Sequence, residues 1–96
     1  MSAKKQLELT GRAFRNIAAA EEYIAKDNPV AAQKVVELIY KTAEKLESFP
    51  EMGRPGIVTG TRELPLPKYP YTIAYRVKAT RVVVYAVLHQ KMKYHS

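Results

Sequence analysis

The sequence contains no cysteine, so disulfide bridges, thiol nucleophiles and cysteine-held metals are all excluded. Its two histidines, His89 and His95, have no cluster of carboxylates nearby, which is poor material for a metal site. Four glycines are scattered along the chain and form neither of the glycine-rich loops that cradle phosphates. Acids are scarce in the second half, where Glu51 and Glu63 stand alone; paired-carboxylate catalysis needs more than that. No apolar run approaches the ~20 residues of a membrane span. Met1 to Gln6 leads into Leu7-Glu8-Leu9 without the apolar core of a signal peptide. The expectation is a soluble cytoplasmic protein with no membrane association, no cofactor and no metal.

What is present is 96 residues with ordinary globular proportions, 47% hydrophobic and 26% charged. That length suits one domain covering residues 1–96. The charge is less ordinary. Residues 1–48 carry eight basic and seven acidic side chains, a net of +1, whereas residues 49–96 carry eight and two, a net of +6. Beyond Glu63 there is no acid, yet Lys68, Arg76, Lys78, Arg81, Lys91 and Lys93 follow. Such a half attracts a polyanion or an acidic protein segment, unless it is simply a solvated surface that aids solubility.

Periodicity divides the chain into elements. Leu7 and Leu9 alternate with Gln6 and Glu8, the pattern of a half-buried strand. Thr10 is placed to cap a helix whose apolar side is Phe14, Ile17, Ala18, Ile24 and Ala25. Asn28-Pro29 opens a second helix with Asn28 as cap and Pro29 at its first position. Its stripe is Ala32, Val35, Val36, Ile39, Ala43, Leu46 and Phe49. Two prolines and two glycines within Phe49 to Gly56 end the helical hairpin. The period then changes to two. Thr61 to Leu66 reads as a short strand, with Pro65 implying an edge or a bulge. Tyr71 to Val77 reads as an amphipathic strand, Lys78-Ala79-Thr80 as a turn, and Arg81 to Leu88 as a more buried strand. The fold class is α+β: an N-terminal strand, a helical hairpin and a three-stranded antiparallel meander, with the helices on one sheet face.

The remaining chemistry is basic. Arg62 falls on the first strand after the loop, Arg76 on the polar side of the next, and His89 at the end of the last. Lys91, Lys93 and Tyr94 follow. If the sheet brings these to one face, the arginines can neutralise phosphate while Tyr or His stacks a base or moves a proton. The plainer alternative is that Arg62 and Arg76 face solvent, that His89 merely ends a strand, and that Tyr69, Tyr71, Tyr75 and Tyr85 are packing residues.

Several of these segments together resemble the RelE/ParE superfamily, the toxins of type II toxin–antitoxin modules. The segments are Tyr23-Ile24-Ala25, Asp27-Asn28-Pro29, Phe49-Pro50-Glu51-Met52-Gly53-Arg54-Pro55 and Arg62-Glu63-Leu64. Tyr69-Pro70-Tyr71, Tyr75-Arg76-Val77 and Val87-Leu88-His89 complete the set. The resemblance runs from Leu9-Thr10 to about Lys93, and that superfamily has the element order derived above.

The resemblance implies one of two activities. RelE-like members cleave mRNA on the ribosome, with basic residues at the phosphate and a proton-moving side chain near the C-terminus. Carried to this chain, that set is Arg62, Arg76, His89 and Tyr94. ParE-like members poison DNA gyrase and lack that catalytic set. The ending His89-Gln90-Lys91-Met92 is similar to the ParE-like one and favours that branch. On either branch Lys45, Arg54, Arg81, Lys91 and Lys93 are the substrate- or target-binding candidates, Lys45 and Arg54 being nearest to the lysines that RNase members carry in the second helix and the loop after it. A third reading is a module that keeps the fold without activity. The resemblance also implies a partner, a small antitoxin whose acidic segment wraps the toxin.

Overall fold

The computed structural model describes residues 4–91. The order of elements is β1 (Gln6–Leu9), α1 (Gly11–Ala25), α2 (Pro29–Lys45), β2 (Arg54–Pro55), β3 (Arg62–Pro65), β4 (Tyr71–Val77) and β5 (Arg81–His89). No helix among the described residues is long and apolar enough to cross a membrane.

Both helices begin where side-chain caps allow. The Thr10 hydroxyl accepts a bond from the Ala13 N–H at 3.1 Å, and the Asn28 side chain accepts from the Ala31 N–H at 3.1 Å. Each satisfies one of the donors that a helix start leaves orphaned. Pro29 follows directly at the first helical position, where its missing N–H removes no intrahelical bond.

The buried stripe of α1 is Ala13, Ile17 and Ala20, continued by half-buried Ile24. Phe14, expected in the core, is 51% exposed. The stripe is centred one residue earlier, on small alanines that let the helix approach the sheet closely. In α2, Ala32, Val35, Ile39 and Ala43 are buried as expected, together with Thr42, and so is Leu46, which caps the helix end. Phe49 is 64% exposed, because the helix ends at Lys45 and its period does not carry that far.

The five strands form one mixed sheet in the order β1-β5-β4-β3-β2. The β3–β4–β5 meander is antiparallel, and β1 lies parallel to β5. The two-residue β2 is an addition to the expected set; it pairs with β3 through Arg54↔Glu63 and Pro55↔Arg62. Cross-strand partners share a face. Leu7, Leu9, Val82, Val84, Tyr75, Ile73 and Leu64 therefore point toward the helices, while Glu8, Arg81, Val83, Arg76, Ala74, Glu63 and Arg54 occupy the opposite, open face.

Two features depart from simple alternation. Register slips between Ala74↔Ala86 and Tyr75↔Val84, so Tyr85 is the extra residue of a bulge in β5. The bulge turns Tyr85 outward and moves Val87, not Ala86, to the helix side. Thr10 secures it: its N–H donates to Val84 O at 3.0 Å and its hydroxyl to Tyr85 O at 3.0 Å. Secondly, Tyr71 to Tyr75 are all buried, including Thr72 and Ala74 of the open face. As the central strand, β4 has neighbours on both sides that shield its small side chains. Beyond Tyr75, the last residue paired with β3, Arg76 and Val77 become exposed.

Candidate functional site

Arg62, Arg76 and His89 fall into three separate places. Arg62 is opposite Tyr75, on the helix side of the sheet near its edge. Arg76 is the next residue along β4 and points to the open face. His89 is opposite Tyr71, at the far end of β4. The rungs of Arg76 and His89 are five residue steps apart along β4, about 17 Å. The convergence of these groups on one face, expected from the sequence, is not what the sheet builds. Tyr94 and Lys93 lie outside the described residues.

Arg62 is engaged with the backbone. Its Nη1 donates to Gly53 O at 2.7 Å and reaches Glu51 O at 3.5 Å. Beside it the Tyr75 hydroxyl accepts from the Gly53 N–H at 2.8 Å and donates to Pro50 O at 2.7 Å. This clamp fixes the loop leading into β2. It also requires glycine at position 53, since a Cβ there would come within 2.6 Å of the Tyr75 hydroxyl and 3.0 Å of Glu63 O. Burial pushes the Tyr75 phenol above its ordinary pKa, against the Gly53 bond and the Arg62 charge, which lower it, while Glu51 adds a smaller upward push. Tyr75 therefore serves as a neutral donor and acceptor. The loop so held presents Phe49 and Met52 to solvent.

The open face carries a second group. The Arg76 guanidinium carbon sits 5.9 Å from the centre of the Tyr85 ring, a cation–π arrangement that the bulge makes possible. Its Nη1 reaches Thr59 O at 3.5 Å, next to Gly60, whose φ is +82°. Arg81 pairs with Glu8 at 3.2 Å. Arg54 is 3.9 Å from Glu63, whose other oxygen accepts from the Ile57 N–H at 3.3 Å. The basic residues of this face are thus interleaved with two carboxylates.

The third place is an apolar groove of about 590 Å³ between α1 and the ends of β4 and β5, with Ala19, Ala20, Tyr23, Tyr71 and Val87 among its walls and His89 and Lys91 at its rim. Tyr71 and His89 meet edge to face, with ring centres 5.3 Å apart. Burial raises the Tyr71 pKa, and the neighbouring Tyr23 adds to the rise. His89 Nδ1 accepts from the Lys91 N–H at 3.2 Å. The sequence pattern puts Asn16 on the polar side of α1, away from the apolar stripe, yet its Oδ1 accepts from the Val87 N–H at 3.1 Å just past the bulge. An Asn in mid-helix is intrinsically unfavourable, and that was the available signal. Of the other candidates, Lys45 ends α2 beside Lys4, Leu7 and Lys41, at the opposite end of the molecule from Lys91.

These three places belong to a fold with known relatives. The family model for the ParE toxin of type II toxin–antitoxin systems matches residues 7–94. The chain is 39% identical over 87 residues to a candidate toxin of Sinorhizobium fredii, Y4kP, covering 91% of this chain and 90% of that protein. It is 31% identical over 84 residues to toxin RelE2 of Caulobacter vibrioides, covering 88% and 93%. Among solved structures, a chain of the chromosomal ParDE system of P. aeruginosa superposes with a TM-score of 0.81 at 26% identity, covering 92% of this chain and 98% of that one. Sequence, element order and tertiary structure agree: the chain belongs to the ParE toxin family of type II toxin–antitoxin systems.

Proposed function

We propose that this toxin acts in the cytoplasm as a growth inhibitor that binds and poisons DNA gyrase, and that a cognate antitoxin with an acidic segment neutralises it. The observation that carries the gyrase reading is the dispersal of the basic groups. A nuclease needs its phosphate-binding and proton-moving groups around one reacting phosphate. Here Arg62 is bonded to loop carbonyls, Arg76 lies on the other face, and His89 stands at the far end. Protein binding makes no such demand, since distributed contacts suffice. Lys45, Arg54, Arg81, Lys91 and Lys93 are then available as contacts to the target.

One observation favours the RelE-like alternative, mRNA cleavage on the ribosome. The Arg76–Tyr85 pair on the open face combines a phosphate-binding cation with a ring on which a base can stack. Two parallel reactions separate the readings. Purified toxin at micromolar concentration is added to gyrase supercoiling relaxed plasmid, and to cell-free translation. Loss of supercoiling with accumulation of cleaved DNA, and intact mRNA, is the expected outcome. Unaffected gyrase together with cleaved mRNA that Arg76→Ala abolishes refutes it.

A further inference from the structure

Apolar side chains scattered singly over a surface carry no message, but two stand side by side on one loop. Ile57 is 67% exposed and Val58 53%, at the tip of the connection between β2 and β3. Thr59 and Gly60 complete the tip, and all four residues are exposed. Turns are ordinarily built from Gly, Pro, Asn, Asp and Ser. Two β-branched aliphatic residues gain nothing from facing water there.

The tip is held from within. The Gly56 N–H donates to Thr61 O at 2.8 Å, and the Thr61 N–H to Val58 O at 3.1 Å. The hydroxyl of buried Thr61 donates to the same Val58 O at 2.6 Å. The Ile57 N–H donates to Glu63 Oε2 at 3.3 Å, and Gly60 supplies the positive φ of the turn. Gly56 has to lack a side chain, because a Cβ there would collide with the Thr61 hydroxyl. Arg76, 3.5 Å from Thr59 O, is the longest of these supports. The loop is thus closed by its own bonds, and the side chains it projects are stiff at χ1. Little conformational freedom is left to lose when they are buried by a partner.

The loop adjoins the β2 edge, at the other end of the strand order from β1. At its base Arg54 is exposed and shares the open face with Arg76. Glu63 lies between, 3.9 Å from Arg54 and bonded to the Ile57 N–H. An aliphatic tip with a cationic rim matches an apolar cleft bordered by carboxylates on a folded protein. Duplex DNA is a poorer match, since the tip has no ring to stack on a base and a carboxylate stands at its base.

We propose that Ile57 and Val58 form a binding finger that inserts into an apolar, acid-rimmed cleft on gyrase. Burial of the two side chains supplies the apolar core of the contact, and Arg54 supplies part of its polar rim. The inference rests on the gyrase reading above and adds where the toxin grips its target.

The test uses purified full-length toxin and three variants: Ile57→Ser with Val58→Ser, Ile57→Leu with Val58→Leu, and Val30→Ser. Val30 is as exposed, at 63%, but lies at the start of α2. Affinity for gyrase is read by surface plasmon resonance, inhibition by supercoiling of relaxed plasmid, and folding by Tm. The serine pair binds at least about tenfold more weakly and inhibits correspondingly less, at unchanged Tm. The leucine pair, which keeps an apolar tip, and Val30→Ser stay within about twofold of the parent. A serine pair that binds as tightly as the parent overturns this inference alone, as does an equal loss in Val30→Ser. Unchanged gyrase affinity with loss of binding to duplex DNA, or with conversion of a dimeric parent to a monomer, assigns the tip to DNA or to a second copy and overturns it too. A parent that neither binds nor inhibits gyrase refutes the gyrase reading, and this inference with it.

Discussion

Removing one oxygen atom from the core tests the loop clamp. In Tyr75→Phe the ring remains, but the hydroxyl that accepts from the Gly53 N–H and donates to Pro50 O is gone. Two hydrogen bonds are lost, each worth about 1 kcal/mol net, and the Gly53 N–H becomes a buried orphan at about 1–3 kcal/mol. These terms overlap, and the expected destabilisation is about 2–4 kcal/mol. For a chain of this length each kcal/mol lowers Tm by about 4–8 °C, so the midpoint falls by about 10 °C or more. The phenol adds a pH signature. Its folded-state pKa is raised, chiefly by burial, so its contribution to stability is complete below the unfolded pKa of about 10 and is lost as pH rises through the folded value. Tyr75→Phe therefore flattens the alkaline limb of the stability–pH curve. Urea titrations between pH 7 and 11 measure both effects, and amide exchange at Gly53 reports the loop directly. A variant within about 0.5 kcal/mol of the parent, with an unchanged alkaline slope and a protected Gly53 amide, refutes the clamp.

Other substitutions test the remaining joints. Thr10→Ala removes both the α1 cap and the bond to Tyr85 O, and denaturant unfolding should show a loss of about 2 kcal/mol. Asn16→Ala leaves the Val87 N–H without its acceptor, for about 1–3 kcal/mol by the same measurement. Gly53→Ala forces the loop off Tyr75, and limited proteolysis is expected to cut near Met52 sooner than in the parent. Arg76→Ala lies on an exposed part of the open face; under the gyrase reading it retains growth inhibition in cells, whereas full loss of toxicity with a folded protein points to the nuclease.

Much of the fold was legible because its signals are local. Thr10, Asn28 and Pro29 act within a few residues of themselves, so both helix starts could be read directly. The run of prolines and glycines after Phe49 ends helix wherever it stands, and the change from period 3.6 to period 2 marks the sheet. The errors came where burial depends on angle or on distant neighbours. Phe14 is large and apolar, yet the α1 stripe runs through Ala13 and Ala20, whose small size gives a weak hydrophobic signal. Phe49 fits the α2 spacing, but the helix has already ended.

The candidate site divides in the same way. From its sequence alone this chain has a basic second half, an α+β order and the segments that resemble the RelE/ParE superfamily, all carried by composition and local pattern. Only the tertiary structure decided which face each arginine occupies, because neighbours along a strand point in opposite directions and the register is set by partners tens of residues away. It turned Arg62 into a strut for the loop at Gly53. It set Arg76 over Tyr85 through a bulge that no local signal announced. Among the described residues it also left β1 at one end of the sheet, a position defined by which strand lies beside it and on which side none does.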